Sequence, residues 1–115
     1  MTIQISPLAN EYVQATNDGP PARFLALFAD DAIVRDAGRE HHGRAAIRDW
    51  SQREIFDVQV TLDVLDVAER DGRTVLTTKV DGNFDRTGLP DPVIIEQRLR
   101  FDGNVIRELE CVLKQ

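Results

Sequence analysis

Asp36 is the residue of this sequence whose chemistry most needs an explanation. It ends the segment Ala32–Asp36, whose apolar residues predict a short strand that enters a core. Residues two apart on a strand point to the same side, so Asp36 faces the core if Val34 does. Among apolar side chains a carboxylate is desolvated, which favours its neutral form and makes it a stronger base. Asp36 could therefore move a proton, or it could simply turn the chain before Ala37 and Gly38.

Tyr12 and Gln97 are hydrogen-bonding residues on two other surfaces that are predicted to face the core. Tyr12 shares a helical face with Leu8 and Ala15. Gln97 is the lone polar residue on one face of a predicted strand, and the rest of that face is Val93, Ile95, Leu99 and Phe101. Removal of a proton beside a carbonyl needs a base near the carbon and donors near the oxygen. Tyr12 and Gln97 could be those donors, or they could be buried residues that bond a neighbour.

Helices are predicted in the first half of the chain. The predicted starts are Ser6-Pro7, Pro20-Pro21 and Gly43. Gly19 suits the end of the first helix, and Asp30-Asp31 is expected to end the second. A polar loop over residues 37–42 is expected between the strand at Asp36 and the third helix. Trp50 lies on the apolar face of this third helix, where it could pack in the core or contact a ligand at a pocket rim.

Strands are predicted in the second half. From Ile55 the sequence alternates apolar and polar residues as far as Val64, which is typical of a half-buried strand. Arg70–Arg73 predicts a hairpin turn. The strands expected after it are Thr74 to about Phe84, Val93–Phe101 and Val105–Leu113. Helices followed by strands predict an α+β fold, and we expect one domain over residues 1–115.

The last strand leaves open which of its faces lines the pocket. One face carries Val105, Arg107, Leu109, Cys111 and Leu113, and the other carries Ile106, Glu108, Glu110 and Val112. The count of apolar residues favours the first face as the inner one. If that apolar face instead points outward, it predicts a dimer surface.

Composition narrows the range of partners. The formal net charge of −6 argues against nucleic acid, whose binding depends on neutralising phosphates. A single cysteine, Cys111, cannot form an internal disulfide, and neither a secretory signal nor a membrane-spanning apolar run is evident. We therefore expect a cytoplasmic protein without a membrane partner. His41 and His42 are adjacent on a loop and lack a third ligand at a usual spacing, so no metal is expected.

The sequence resembles the nuclear transport factor 2-like superfamily, which includes ketosteroid isomerases and SnoaL-type polyketide cyclases. The resemblance is carried by YVQATNDG, LFADDAIVRD and GRAAIRDW. It implies three N-terminal helices packed on a strongly curved, mainly antiparallel sheet that encloses an apolar pocket. In the isomerases a tyrosine at the position of Tyr12 donates to the substrate oxygen, and an aspartate at the position of Asp36 moves the proton. Gln97 stands where they have a protonated aspartate, and the alignment also points Glu108 or Glu110 into the cone.

Three hypotheses follow from these residues. The first is an isomerase or cyclase without a cofactor that transfers a proton beside the carbonyl of an apolar substrate. Tyr12 and Asp36 would be its catalytic residues. The residues expected to bind substrate are Gln97, Trp50, Phe84, Val34, Leu99 and Glu108. The second hypothesis is a binder of an apolar small molecule that catalyses no reaction, and the third is a homodimeric interaction module of the same fold.

Overall fold

The structure, a computed structural model, describes residues 5–114. Its helices are α1 (Pro7–Asp18), α2 (Pro21–Leu25) and α3 (Gly43–Ser51), and a π-helical turn (Gln52–Phe56) continues α3. Its strands are β1 (Phe28–Asp36), β2 (Arg39–His42), β3 (Thr61–Arg70), β4 (Arg73–Asp81), β5 (Ile94–Asp102) and β6 (Val105–Lys114). None of the helices within residues 5–114 has the length and apolar character needed to cross a membrane.

The six strands form one open mixed sheet in the order β2-β1-β6-β5-β4-β3. Only the β1–β6 pair is parallel, and the other four pairs are antiparallel. Helix α1 packs near β3, and α3 packs on β1. The prediction of an α+β cone with helices against a mainly antiparallel sheet is confirmed.

Helix α1 places Tyr12 in the core. Its start is capped as predicted, because the Ser6 Oγ accepts a hydrogen bond from the Ala9 backbone N–H over 3.3 Å. The helix also ends before Gly19 as predicted, and Gly19 has a positive φ of 63°, which glycine adopts without strain. The buried face of α1 is Ala9, Tyr12, Val13, Ala15 and Thr16.

The prediction for the region before α3 was wrong in two places. Helix α2 ends at Leu25, and Asp30 and Asp31 belong to strand β1, which starts at Phe28 and pairs there with Ile106. Residues 39–42 form strand β2, although a loop was expected. Ala37 and Gly38 both have positive φ, which makes a tight turn that lets β2 pair back on β1.

The strand expected from Ile55 is helical as far as Phe56, and β3 begins only at Thr61. From this helical turn Ile55 lies in the core and Phe56 packs against it. Burial of these side chains therefore outweighs the alternation that predicted a strand. Strand β4 likewise ends at Asp81, three residues before Phe84. Gly82 adopts a φ of 153°, and a Cβ there would lie 2.9 Å from the Val58 carbonyl oxygen. The chain therefore leaves the strand at Gly82.

Strand β6 turns its apolar face inward. An irregularity in the register opposite Arg100 and Phe101 brings both Ile106 and Leu109 into the core, where each is fully buried. Cys111 and Leu113 follow on the inner face. Glu108 lies 3.6 Å from both Arg35 and Arg100 on the opposite face. The sequence argument for a dimer required this apolar face to point outward, so that argument no longer holds. The homodimer itself stays a prediction.

Candidate functional site

A cavity of about 670 Å³ opens between the helices and the sheet. Its lining is mostly apolar, and the side chains that bear on its chemistry are Tyr12, Asp36, Trp50, Phe84, Gln97 and Cys111. They come from α1, the end of β1, α3, the loop after β4, β5 and β6. A mostly apolar cavity with a few convergent polar groups is the usual form of a small-molecule site.

The Tyr12 hydroxyl donates a hydrogen bond to the Gln97 Oε1 over 2.7 Å. Both residues are almost fully buried, Tyr12 at 2% exposure and Gln97 at 4%. Burial raises the pKa of Tyr12 well above its ordinary value, and the nearby Cys111 and Asp36 raise it further. Tyr12 is therefore a neutral hydroxyl at physiological pH and can act as a hydrogen-bond donor.

The side-chain amide of Gln97 has two further neighbours. Its Nε2 lies 3.5 Å from the Thr78 Oγ1, and its Oε1 lies 3.5 Å from the Cys111 Sγ. Thr78 itself donates to the Ile95 carbonyl oxygen over 2.7 Å. Burial raises the pKa of the Cys111 thiol well above its ordinary value, and Asp36 and Glu110 add to the effect. The thiol stays protonated, which argues against a role as nucleophile.

Asp36 reaches the cavity from the last position of β1. Its Oδ2 accepts a hydrogen bond from the Trp50 Nε1 over 3.1 Å. Burial raises the pKa of Asp36 above its ordinary value. The Trp50 hydrogen bond opposes this rise, the Glu54 carboxylate adds to it, and the charge of His41 lowers the pKa. The net upward direction is the one that a general base benefits from near neutral pH.

Five of the eight residues expected at the site line the cavity: Tyr12, Asp36, Trp50, Phe84 and Gln97. The other three, Val34, Leu99 and Glu108, do not. Val34 and Leu99 are fully buried core residues that flank Leu109 in the sheet. Glu108 points to the opposite face of the sheet, where Arg35 and Arg100 lie beside its carboxylate, so its expected role is corrected.

Two acidic residues at the cavity were not predicted from the sequence. Glu54 lies in the π-helical turn after α3, four residues beyond Trp50. This i, i+4 spacing puts both on one helical side, but the prediction for the third helix named no residue beyond Trp50. Asp85 lies in the loop beyond β4, where no periodic pattern applies. Together with Asp36 they are the charged residues of the cavity lining, which contains no lysine or arginine among residues 5–114.

The fold is that of a nuclear transport factor 2-like cone. A family model described as a SnoaL-like domain matches residues 9–108, and the chain belongs to this family. A comparison with curated proteins found no match.

Solved structures share the whole architecture. A protein assigned as a polyketide cyclase from Sinorhizobium meliloti has a TM-score of 0.81 at 23% identity, covering 93% of this chain and 94% of that one. Another from Xanthomonas campestris, with the same assignment, has a TM-score of 0.75 at 25% identity, covering 93% and 87%. The Δ5-3-ketosteroid isomerase of a Mycobacterium species has a TM-score of 0.69 at 16% identity, covering 93% and 90%.

Proposed function

We propose that this protein catalyses proton transfer next to the carbonyl group of an apolar small molecule, as an isomerase or a cyclase. The observation that supports this most is that Tyr12 and Asp36 line one cavity. The family and the structural neighbours assigned as cyclases agree with this class of reaction.

In the proposed reaction, Asp36 removes a proton from the carbon beside the carbonyl. The electrons of the C–H bond move to the oxygen, which becomes an enolate. Tyr12 donates a hydrogen bond to this oxygen, where the negative charge develops. In an isomerase, the Asp36 acid then returns the proton to a different carbon. In a cyclase, the enolate carbon instead attacks a second carbonyl, and Asp36 gives its proton to the alkoxide that forms.

The cavity favours a substrate without negative charge. Asp36, Glu54 and Asp85 all carry carboxylates at its lining, and no cation among the described lining residues offsets them. An anionic ligand would be repelled by these groups and would lose its hydration on entry. The apolar remainder of the lining suits a hydrocarbon skeleton.

The test is a panel of unsaturated ketones assayed for isomerisation. The wild-type protein is expected to turn over at least one of them, and Asp36→Asn is expected to abolish that turnover. Asp63→Asn is the matched control, because Asp63 is an exposed aspartate of β3 that does not line the cavity. Turnover that survives in Asp36→Asn would overturn the proposed role of Asp36.

A second candidate function is ligand binding without catalysis. It is favoured by the Tyr12 hydroxyl, whose single hydrogen is donated to Gln97 and not to the cavity. Ketones that bind to the wild-type protein without any turnover across the panel would support this candidate over the enzyme.

A further inference from the structure

Gln97 lies where it can set the direction of the Tyr12 hydroxyl. A phenol has one hydrogen to donate, and in the structure that hydrogen goes to the Gln97 Oε1 over 2.7 Å. With its hydrogen used in this way, Tyr12 offers only oxygen lone pairs to the cavity. Such a site accepts hydrogen bonds from a ligand but cannot donate one to a ligand carbonyl.

The surroundings of the Gln97 amide are compatible with the opposite orientation. Among residues 5–114, its polar atoms form hydrogen bonds with the side chains of Tyr12, Thr78 and Cys111. A hydroxyl or a thiol can either donate or accept a hydrogen bond. A half-turn of the amide exchanges its oxygen and nitrogen with almost no change in shape. The Nε2 would then donate to the Tyr12 oxygen, and the Thr78 hydroxyl could donate to the Oε1 by leaving the Ile95 carbonyl.

We propose that Gln97 is a positioning residue whose amide turns over when a ligand carbonyl enters the cavity. The turn keeps a hydrogen bond between Gln97 and Tyr12 but reverses its direction, which frees the Tyr12 O–H for the ligand oxygen. The unturned amide instead suits a ligand that carries a hydroxyl or an amine. The inference rests on the proposed function in one respect, namely that Tyr12 contacts the ligand oxygen.

An ionised carboxylate at this position could not make the turn. It has only acceptor oxygens, so it would hold the Tyr12 hydrogen at all times. A neutral carboxylic acid could still donate to Tyr12 or to the ligand. The variant Gln97→Glu therefore makes the direction of the Tyr12 hydroxyl depend on pH, which a purely structural role of Gln97 would not do.

The experiment measures equilibrium binding of cyclohexenone in the Asp36→Asn background. That background removes both turnover and the titration of Asp36, so failure of the proposed reaction does not affect the result. Binding is followed by the fluorescence of Trp50, the chain's single tryptophan. The infrared carbonyl stretch of the bound ketone reports whether a hydrogen bond is donated to it.

With Gln97 present, we expect the carbonyl stretch of the bound ketone to fall below its value in an apolar solvent. With Gln97→Glu, affinity should decrease about tenfold as the glutamate ionises, and the stretch should return toward the apolar value. An unshifted stretch with Gln97 present, affinity of Gln97→Glu that does not vary with pH, or no ketone binding at all would overturn the inference.

Thr78 provides a second test if Gln97→Glu does not fold. Thr78→Val keeps the shape of the side chain but leaves the turned Gln97 Oε1 without its donor, so ketone affinity should fall. Thr78→Ser keeps the hydroxyl and should bind the ketone as the parent does. Equal affinity of the Val and Ser variants would also contradict the inference.

Discussion

The Trp50 indole N–H donates to the Asp36 Oδ2 over 3.1 Å and so joins helix α3 to the end of strand β1. Trp50 is only 3% exposed, and its ring packs near Phe24 and His41. The indole is therefore held in place and fixes the orientation of the carboxylate. It also lowers the pKa of Asp36 in opposition to burial, which has the larger effect and raises that pKa.

Trp50→Phe should raise the pH at which the protein reaches half of its maximal activity. The proposed base acts when ionised, so activity rises as pH increases through the pKa of Asp36. Loss of the indole N–H removes a hydrogen bond to the charged form, which should raise the activity midpoint by about one pH unit. The measurement is kcat/KM against pH. Tyr12→Phe is the control, since it should lower the rate without moving the midpoint. An unchanged midpoint in Trp50→Phe would show that the indole does not tune Asp36.

Asp36→Asn should increase the free energy of unfolding at neutral pH. Burial raises the folded-state pKa of Asp36 above its unfolded value, so the folded protein binds this proton more tightly. The resulting stability is fully present below the unfolded pKa and is lost as pH rises through the folded pKa. Asparagine does not ionise, so the variant does not lose this stability as pH rises. Its side-chain oxygen can still accept the hydrogen bond from Trp50. Urea titrations at neutral and acidic pH should show a gain that shrinks on acidification. A gain that is equal at both pH values would argue against a raised pKa.

Tyr12→Phe should lower both stability and activity. The buried Gln97 Oε1 loses its 2.7 Å donor, which should cost about 1 kcal/mol of the free energy of unfolding. The ring and its contact with Phe24, at a centroid separation of 5.8 Å, are retained. Loss of one donor to a developing enolate should reduce kcat about a hundredfold. A variant with full activity would exclude Tyr12 as the donor.

Local patterns in the sequence place Tyr12, Asp36 and Gln97 on surfaces that face the core, but only the family resemblance predicts that they share one site. The helical spacing of Leu8, Tyr12 and Ala15 predicts the inner face of α1, and alternation predicts the inner face of β5. Alternation predicts which side of the sheet a residue faces. It does not predict where along the strand the core ends and the cavity begins. Val34 shares a face with Asp36, yet it is covered by the core beside Leu109, and only the strand end reaches the cavity.

The errors came from segments where packing outweighs the local pattern. Phe56, Val58 and Val60 alternate as a strand would, but Phe56 packs against the core from a helical turn. This turn also places Glu54 at the cavity, and no sequence pattern had marked that residue. No local pattern in the sequence predicts that β2 pairs with β1, because the pairing depends on the positive φ at Ala37 and Gly38.

Ligand charge should have a strong effect on binding. Cyclohexanone and cyclohexanecarboxylate are similar in size, and they differ in that only the second is anionic at neutral pH. The ketone should bind more tightly because Asp36, Glu54 and Asp85 line the cavity. Trp50 fluorescence measures both affinities, and added salt should narrow the difference. Tighter binding of the carboxylate would contradict the proposed preference for uncharged substrates.

Glu96→Gln should destabilise the protein without affecting the cavity. The Glu96 side chain is 7% exposed on the outer face of β5 and lies 3.0 to 3.2 Å from Arg70, Arg98 and Lys114. Its hydrogen bond with Lys114 is the largest cause of its lowered pKa. A lowered folded-state pKa gives stability that is present above the unfolded pKa and is lost as pH falls through the folded pKa.

At neutral pH the cost of Glu96→Gln should be about 1 kcal/mol, because the partner cations are partly exposed and screened by solvent. Urea titration at neutral and acidic pH measures this cost, which should decrease on acidification. Glu108→Gln is the matched control on the same face, because its contacts with Arg35 and Arg100 are longer, at 3.6 Å, and should contribute less. Equal effects of the two substitutions would mean that the closer ion pairs of Glu96 add nothing to stability. Ketone affinity should be unchanged in both variants, since neither glutamate lines the cavity.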